Sequence, residues 1–166
     1  MIARRLEERD LQLRVNWMND EKVYSSMHFD IPVTIENTNK WFRNNQGSDK
    51  RADLAFEDNG EVLAFGGLTN INRDLNNAEM YIFVNPEKQK GGLGTKATRL
   101  LCEYGFQQLG LNKIYLETNE DNSAARRVYE KCGFKIEGIH REEYKKRDGR
   151  FLSRIYYGLL KSEFNG

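Results

Sequence analysis

The stretch from Glu79 to Tyr104 limits the folds open to this chain more than any other. Glu79 to Val84 reads as a strand, "QKGGLGTKA" (residues 89–97) puts three glycines in four positions, and Leu93, Ala97, Leu100, Leu101 and Tyr104 then share one helical stripe that Gly110 stops. Such a segment is suited to phosphate, because backbone N–H groups converge where the helix dipole is positive. About thirty residues further on the pattern returns: Lys113 to Thr118 is a strand, and Asn122 opens a helix whose Ala125, Val128, Tyr129 and Cys132 share a face before Gly133.

The flanking sequence is hairpin-like. Asp10 is predicted to cap a helix carrying Leu11, Val15 and Met18, and a second helix starts at Thr34 with Ile35, Thr38 and Phe42 on one side. Ala52, Leu54 and Phe56 alternate with polar neighbours, Asn59-Gly60 signals a turn, and Val62 to Leu68 returns. Phe134 to Tyr144 and Phe151 to Leu160 flank a further turn at Asp148-Gly149. Hairpins, one crossover through a helix and a closing hairpin predict an α/β fold with a mixed, mostly antiparallel sheet flanked by helices. No linker divides the chain, so residues 1–166 are expected to form a single domain.

Charge narrows the partners. Twenty-six Lys and Arg oppose 25 Asp and Glu, leaving +1, with no block of like charge to draw the chain onto nucleic acid or an anionic membrane. Apolar runs such as Val62 to Phe65 and Ile82 to Val84 are far short of a bilayer span, and the amino terminus turns charged at Arg4, so a cytoplasmic location is expected. Cys102 and Cys132 fall on apolar helix faces as small hydrophobes. His28 and His140 lie in unrelated segments, and no metal is expected.

Three phosphate ligands compete for the glycines. The triphosphate loop G-x-x-x-x-G-K-[ST] fails, because no serine or threonine follows Lys96. Gly92, Gly94 and Ala97 satisfy the dinucleotide pattern G-x-G-x-x-[GA], and Glu117 ends the next strand where a ribose-binding acid belongs. Against it, the seven residues Asn85 to Gly91 separate strand from motif, and only one crossover unit is evident. A diphosphate entering sideways, as on coenzyme A, is the third.

Gln89-Lys90-Gly91-Gly92-Leu93-Gly94 resembles the Q/R-x-x-G-x-G/A signature of the GNAT superfamily of acyl-CoA-dependent N-acyltransferases, and "DNSAARRVYEKCGF" (121–134) resembles its N-x-x-A-x-x-x-Y-x-x-x-G-F helix through Asn122, Ala125, Tyr129, Gly133 and Phe134. The likeness covers nearly the whole chain. It implies that the strands Glu79 to Val84 and Lys113 to Thr118 splay apart as a central pair, with the pantetheine arm of acetyl-CoA in the gap on the backbone of Ile82, Phe83 and Val84. The diphosphate would lie on Gln89, Lys90, Gly91, Gly92, Leu93, Gly94 and Thr95, with Asn122 and Ala125 near the arm. Arg127, with Arg126 and Lys131, would meet the 3'-phosphate, and Tyr129 would stand near the sulfur.

The chemistry asks for a base. An amine with a pKa near ~10.4 is less than roughly 0.1% neutral at pH 7 and must lose a proton to attack a thioester. Glu79 shares a strand face with Tyr81 and Phe83, an apolar setting that would favour a basic carboxylate, with a water chain as the other route. Tyr129 would protonate or stabilise the departing thiolate, without a covalent enzyme intermediate.

The acceptor is read from "RRLEERDLQLRVNWMNDEKV" and "FKIEGIHREEYKKRDGRF", which look like the branch holding ribosomal-protein N-terminal, nucleotide-linked amino-sugar and spermidine acetyltransferases. Residues 20–50 mix acids with bases, which counts against a polyamine, and "WMND" and "KWF" resemble the amino-sugar branch slightly more than the protein N-terminus branch. "HFDIP" (28–32) is either a substrate loop, with Asp30 as an anchor, or a surface connection. A non-catalytic module that binds coenzyme A or a partner stays open as the alternative, as does a homodimer.

Overall fold

Asn59 and Gly60 both take positive φ, 50° and 80°, and their turn folds β2 (Ala52–Asp58) back onto β3 (Glu61–Asn72), as the Asn-Gly pair predicts. These elements belong to a computed structural model that describes residues 1–89 and 91–166. β3 continues antiparallel onto β4 (Asn77–Val84), which runs parallel to β5 (Lys113–Asn119). The closing hairpin inserts β7 (Phe151–Leu160) between β5 and β6 (Lys135–Lys145). A strand absent from the sequence reading, β1 (Ile2–Arg5), borders β2, so the described residues form one sheet in the order β1-β2-β3-β4-β5-β7-β6. "IARR" is too short to show a period, and only β2 makes it a strand.

Alternation along the strands divides the molecule into two apolar layers. Leu54, Phe56, Ala64, Leu68, Ala78 and Met80 pack with α4 (Leu93–Glu103) through Ala97 and Leu101, and α5 (Ser123–Lys131) lies on the same face. Ala55, Phe65 and Phe83 turn the other way and meet Leu11, Trp17 and Met18 of α1 (Leu11–Met18) and Val23 of the short α2 (Glu21–Tyr24). α3 (Ile35–Asn45) completes that layer with Trp41 and Phe42. Two caps form as the sequence predicts: Thr34 Oγ accepts the Asn37 N–H at 3.3 Å, and Asn122 Oδ1 accepts the Ala125 N–H at 3.2 Å.

The expected Asp10 cap does not form. Its carboxylate instead accepts from Arg4 Nη1 and Nη2 at 2.7 and 2.9 Å and from the Glu7 N–H at 2.9 Å, tying the first strand to the first helix. A bidentate guanidinium offers a buried acid more than one main-chain N–H does. Burial pushes this carboxyl up, but Arg4 and the Glu7 N–H outweigh it and hold Asp10 below the usual range. Asp10→Ala is therefore expected to cost roughly 2 kcal/mol, between an exposed and a buried ion pair, as read from the urea midpoint. Because the folded value is depressed, this contribution is present above about pH 3.9 and lost as pH falls through the lower folded value. The gap between wild type and variant should close in acid.

Candidate active site

The β4–β5 ladder stops early. Asn77, Ala78 and Glu79 pair with Lys113, Ile114 and Tyr115, and no register follows. Beyond that point β4 stays on β3 as far as Val84, opposite Ala64, and β5 stays on β7 as far as Asn119, opposite Arg154. Met80 to Val84 and Leu116 to Asn119 thus turn inner edges toward each other with no strand of the described residues between them, which is the splayed pair that the family resemblance implies. A strand edge of this kind takes an extended guest through main-chain hydrogen bonds.

The glycines stand at the mouth of this gap. Gly91 and Gly92 have φ of 78° and 75°, and Gly92 is the left-handed residue from which α4 starts. A Cβ on either would meet nothing within 4 Å, so their backbone faces open space at the amino end of an 11-residue helix. Those features fit a diphosphate. Gly94 serves otherwise: a Cβ there would lie 3.4 Å from Val128 Cγ2 and 4.0 Å from Val84 Cγ1, so its bare backbone sets how closely α4, α5 and β4 approach. Gln89 is exposed, Leu93 and Thr95 are half-buried in the first turn, and Lys90 lies outside the described residues. Ile82 and Val84 pack toward the α4–α5 layer, whereas the Phe83 ring packs 5.8 Å from Phe65 on the other face, leaving only its main chain toward the gap.

Tyr129 sits on α5 with its ring centroid 5.9 Å from those of Phe134 and Tyr157. Burial, and then the neighbouring Cys132 and Tyr157, push its phenol up to about 12. Among the described residues its hydroxyl has no hydrogen-bond partner. Asn122 spends its side chain on the α5 cap, with Ala125 as the N–H it holds. Arg126 is drawn to the Tyr157 hydroxyl at 3.4 Å and the Glu120 carbonyl at 3.3 Å, while Arg127 is exposed. Both cysteines are buried thiols, pushed up chiefly by burial.

Glu79 lies on the opposite sheet face from Ile82 and Val84, half-buried beside Tyr115, where the parallel ladder ends. Its carboxylate accepts from Asn70 Nδ2 at 2.7 Å, a polar partner that sequence alternation did not reveal. Asn70 takes a φ of 50° where β3 loses register with β4, and no sequence signal marks that irregularity. The loop after α2 and the closing hairpin, both drawn on for the acceptor, meet: His28 packs on Tyr144 at 4.3 Å and Arg147 lies over Tyr24 at 5.2 Å. Burial and the charge of Arg154 hold the His28 imidazole below its usual value, against the opposing pull of Glu117. Glu117 is paired with Arg154, and Tyr156 donates to Glu143 at 2.9 Å.

A cavity of about 350 Å³ opens on this same face between α1, α3 and β4. Met18, Phe29, Trp41, Tyr81 and Phe83 line it together with Arg14 and Arg51. Neither arginine was singled out from sequence. The available signal was Arg14 falling on the apolar stripe of Leu11, Val15 and Met18.

Comparison with known proteins agrees with this geometry. Residues 1–135 match the family described as "Acetyltransferase (GNAT) domain". Spermidine N(1)-acetyltransferase of Escherichia coli K12 is 39% identical over 88 residues, which cover 53% of this chain and only 47% of that relative, about half its length. The [ribosomal protein bS18]-alanine N-acetyltransferase of the same strain is 34% identical over 115 residues, 67% of this chain and 72% of that relative. The crystal structure of spermidine N-acetyltransferase from Vibrio cholerae in complex with CoA and spermine superposes with a TM-score of 0.90 at 26% identity, covering 97% of this chain and 95% of that one.

Proposed function

Because the chain belongs to the GNAT acetyltransferase family, we propose that residues 1–166 act as one cytoplasmic catalytic domain that moves an acetyl group from acetyl-CoA to a primary amine by direct attack. The observation that carries this reading is the ladder that ends at Glu79 and Tyr115, with two open glycines at the mouth of the gap beyond it. The pantetheine arm lies between β4 and β5 on the main chain of Ile82, Phe83 and Val84. Its diphosphate rests on the loop from Gln89 through Lys90, Gly91, Gly92, Leu93 and Gly94 to Thr95, and Asn122, Ala125 and Arg127 flank the coenzyme.

The amine enters from the Glu79 face. Glu79, directly or through one water, takes the proton that the attacking nitrogen must lose. The C–N bond forms, the C–S bond breaks, and the products are an amide and the thiol of coenzyme A. A phenol held near 12 is a poor proton carrier toward a thiolate of ordinary pKa ~8.5, so Tyr129 acts as a neutral hydrogen-bond donor to the sulfur. The thiolate's proton then comes from solvent. A tyrosine of ordinary pKa would lose its proton near pH 10. Here kcat/KM should climb with pH as the amine deprotonates and show no downturn from Tyr129 below about pH 10, which a profile from pH 6 to 10 would check.

Thiol release from acetyl-CoA across amino sugars, spermidine and short peptides tests the reading. Calorimetric affinity for acetyl-CoA without turnover on any amine would make the protein a binding module instead. A polyamine acceptor is the second reading, favoured by the two relatives named for spermidine and by the Glu79 and Glu143 carboxylates on the acceptor face.

A further inference from the structure

We propose that the cavity between α1, α3 and β4 holds an oxyanion at the far end of the acceptor, so that the amine acetylated here carries a carboxylate or a phosphate. This rests on the acetyltransferase reading and names the substrate class within it. Arg14 is only 7% exposed, yet its Nε has no hydrogen-bond partner, its Nη1 meets the thioether of Met18 at 2.9 Å, and the Tyr81 hydroxyl beside it already donates its proton to Asp53. A thioether is a weak acceptor. The guanidinium lies 4.7 Å from the Trp41 ring centroid and 5.7 Å from that of Phe83. Among the described residues no carboxylate stands within ion-pair distance of it.

The neighbouring acid is already occupied. Asp53 takes two bonds from Arg51, at 2.7 and 2.8 Å, and the Tyr81 hydroxyl at 2.6 Å. Two guanidiniums against one carboxylate leave the cavity wall with one positive charge in excess. A buried charge without a counter-ion is costly, and a hydrophobic side chain of similar volume would serve packing better. Arg14 offers a planar fork of donors that matches an oxyanion, and Trp41, Phe29 and Met27 cover an apolar or planar body beside it. A polycation would be repelled.

The cavity also stands in line with the chemistry. Tyr81 and Phe83 line it and share a strand face with Glu79, two and four residues along, about 7 and 14 Å at ~3.4 Å per residue. An amine at Glu79 with its anion at Arg14 therefore spans roughly that distance. An α-amino acid is too short.

Thiol release by the full chain with acetyl-CoA should be compared for O-phosphotyramine, 4-(2-aminoethyl)benzoate, tyramine and spermidine. One of the two anionic amines is expected to exceed tyramine at least tenfold in kcat/KM, and which one does so separates phosphate from carboxylate. Arg14→Met should bring that amine down to the level of tyramine, leave the KM for acetyl-CoA in place, and raise the thermal midpoint by about 3 °C. Arg14→Lys, which keeps charge without the fork, should fall between. Tyramine or spermidine matching the anionic amines in the wild type, or a preference that survives Arg14→Met, would overturn the proposal. Should no amine release thiol, the acetyltransferase reading fails, and calorimetry with O-phosphotyramine and with 4-(2-aminoethyl)benzoate decides the cavity separately. Binding lost in Arg14→Met upholds it, and binding equal in both proteins, or absent from both, refutes it.

Discussion

Gly92→Glu is expected to weaken acetyl-CoA binding by at least about 100-fold, enough to abolish saturation in a calorimetric titration. Three effects add. The residue sits at φ 75°, where a side chain costs roughly 1–2 kcal/mol. Its Cβ would enter open space at the helix N-terminus, where the diphosphate is proposed to lie. The carboxylate then claims the same N–H groups and repels the phosphates. Gly92→Ala separates these terms, since it carries the backbone strain without the charge, and its loss should be much smaller. Undiminished affinity in Gly92→Glu would move the coenzyme away from this loop.

Tyr129→Phe should lower kcat about 100-fold while the KM for acetyl-CoA changes less than about twofold, the pattern of an interaction made only as the sulfur leaves. The ring would keep its contacts with Phe134 and Tyr157, so stability should hardly move. A hydroxyl with no partner among the described residues leaves no orphaned group behind when it is removed. An unchanged kcat, measured by thiol release at saturating amine, would take Tyr129 out of the reaction and leave it as core.

A count of charges along one segment says little about the acceptor. Residues 20–50 balance acids and bases and so argue only weakly about substrate. The groups that line the cavity come from outside that window as well: Arg14 from α1, Arg51 from the approach to β2, Tyr81 and Phe83 from β4. Their meeting depends on how the helical layer lies across the sheet. Glu79 gives a second instance, since strand alternation placed its face but not the Asn70 amide that holds it. The same holds for Asp10, whose partner Arg4 lies on a strand too short to show itself.

By itself the chain of residues determined its local conformations and its coenzyme signature. Asn59-Gly60 turns because both residues tolerate positive φ, Thr34 and Asn122 cap because their side chains reach the N–H three residues on, and the stripe from Leu93 to Leu101 follows the helical period. Each of these is a short-range property, set within a few residues. Tertiary structure alone decided where the ladder between β4 and β5 ends, that Arg14 and Arg51 line one cavity with Tyr81 and Phe83, and that Arg14 is buried with no carboxylate among the described residues at ion-pair distance. Those outcomes join residues far apart in the chain, and packing of the two layers against one sheet, rather than any local preference, brings them together.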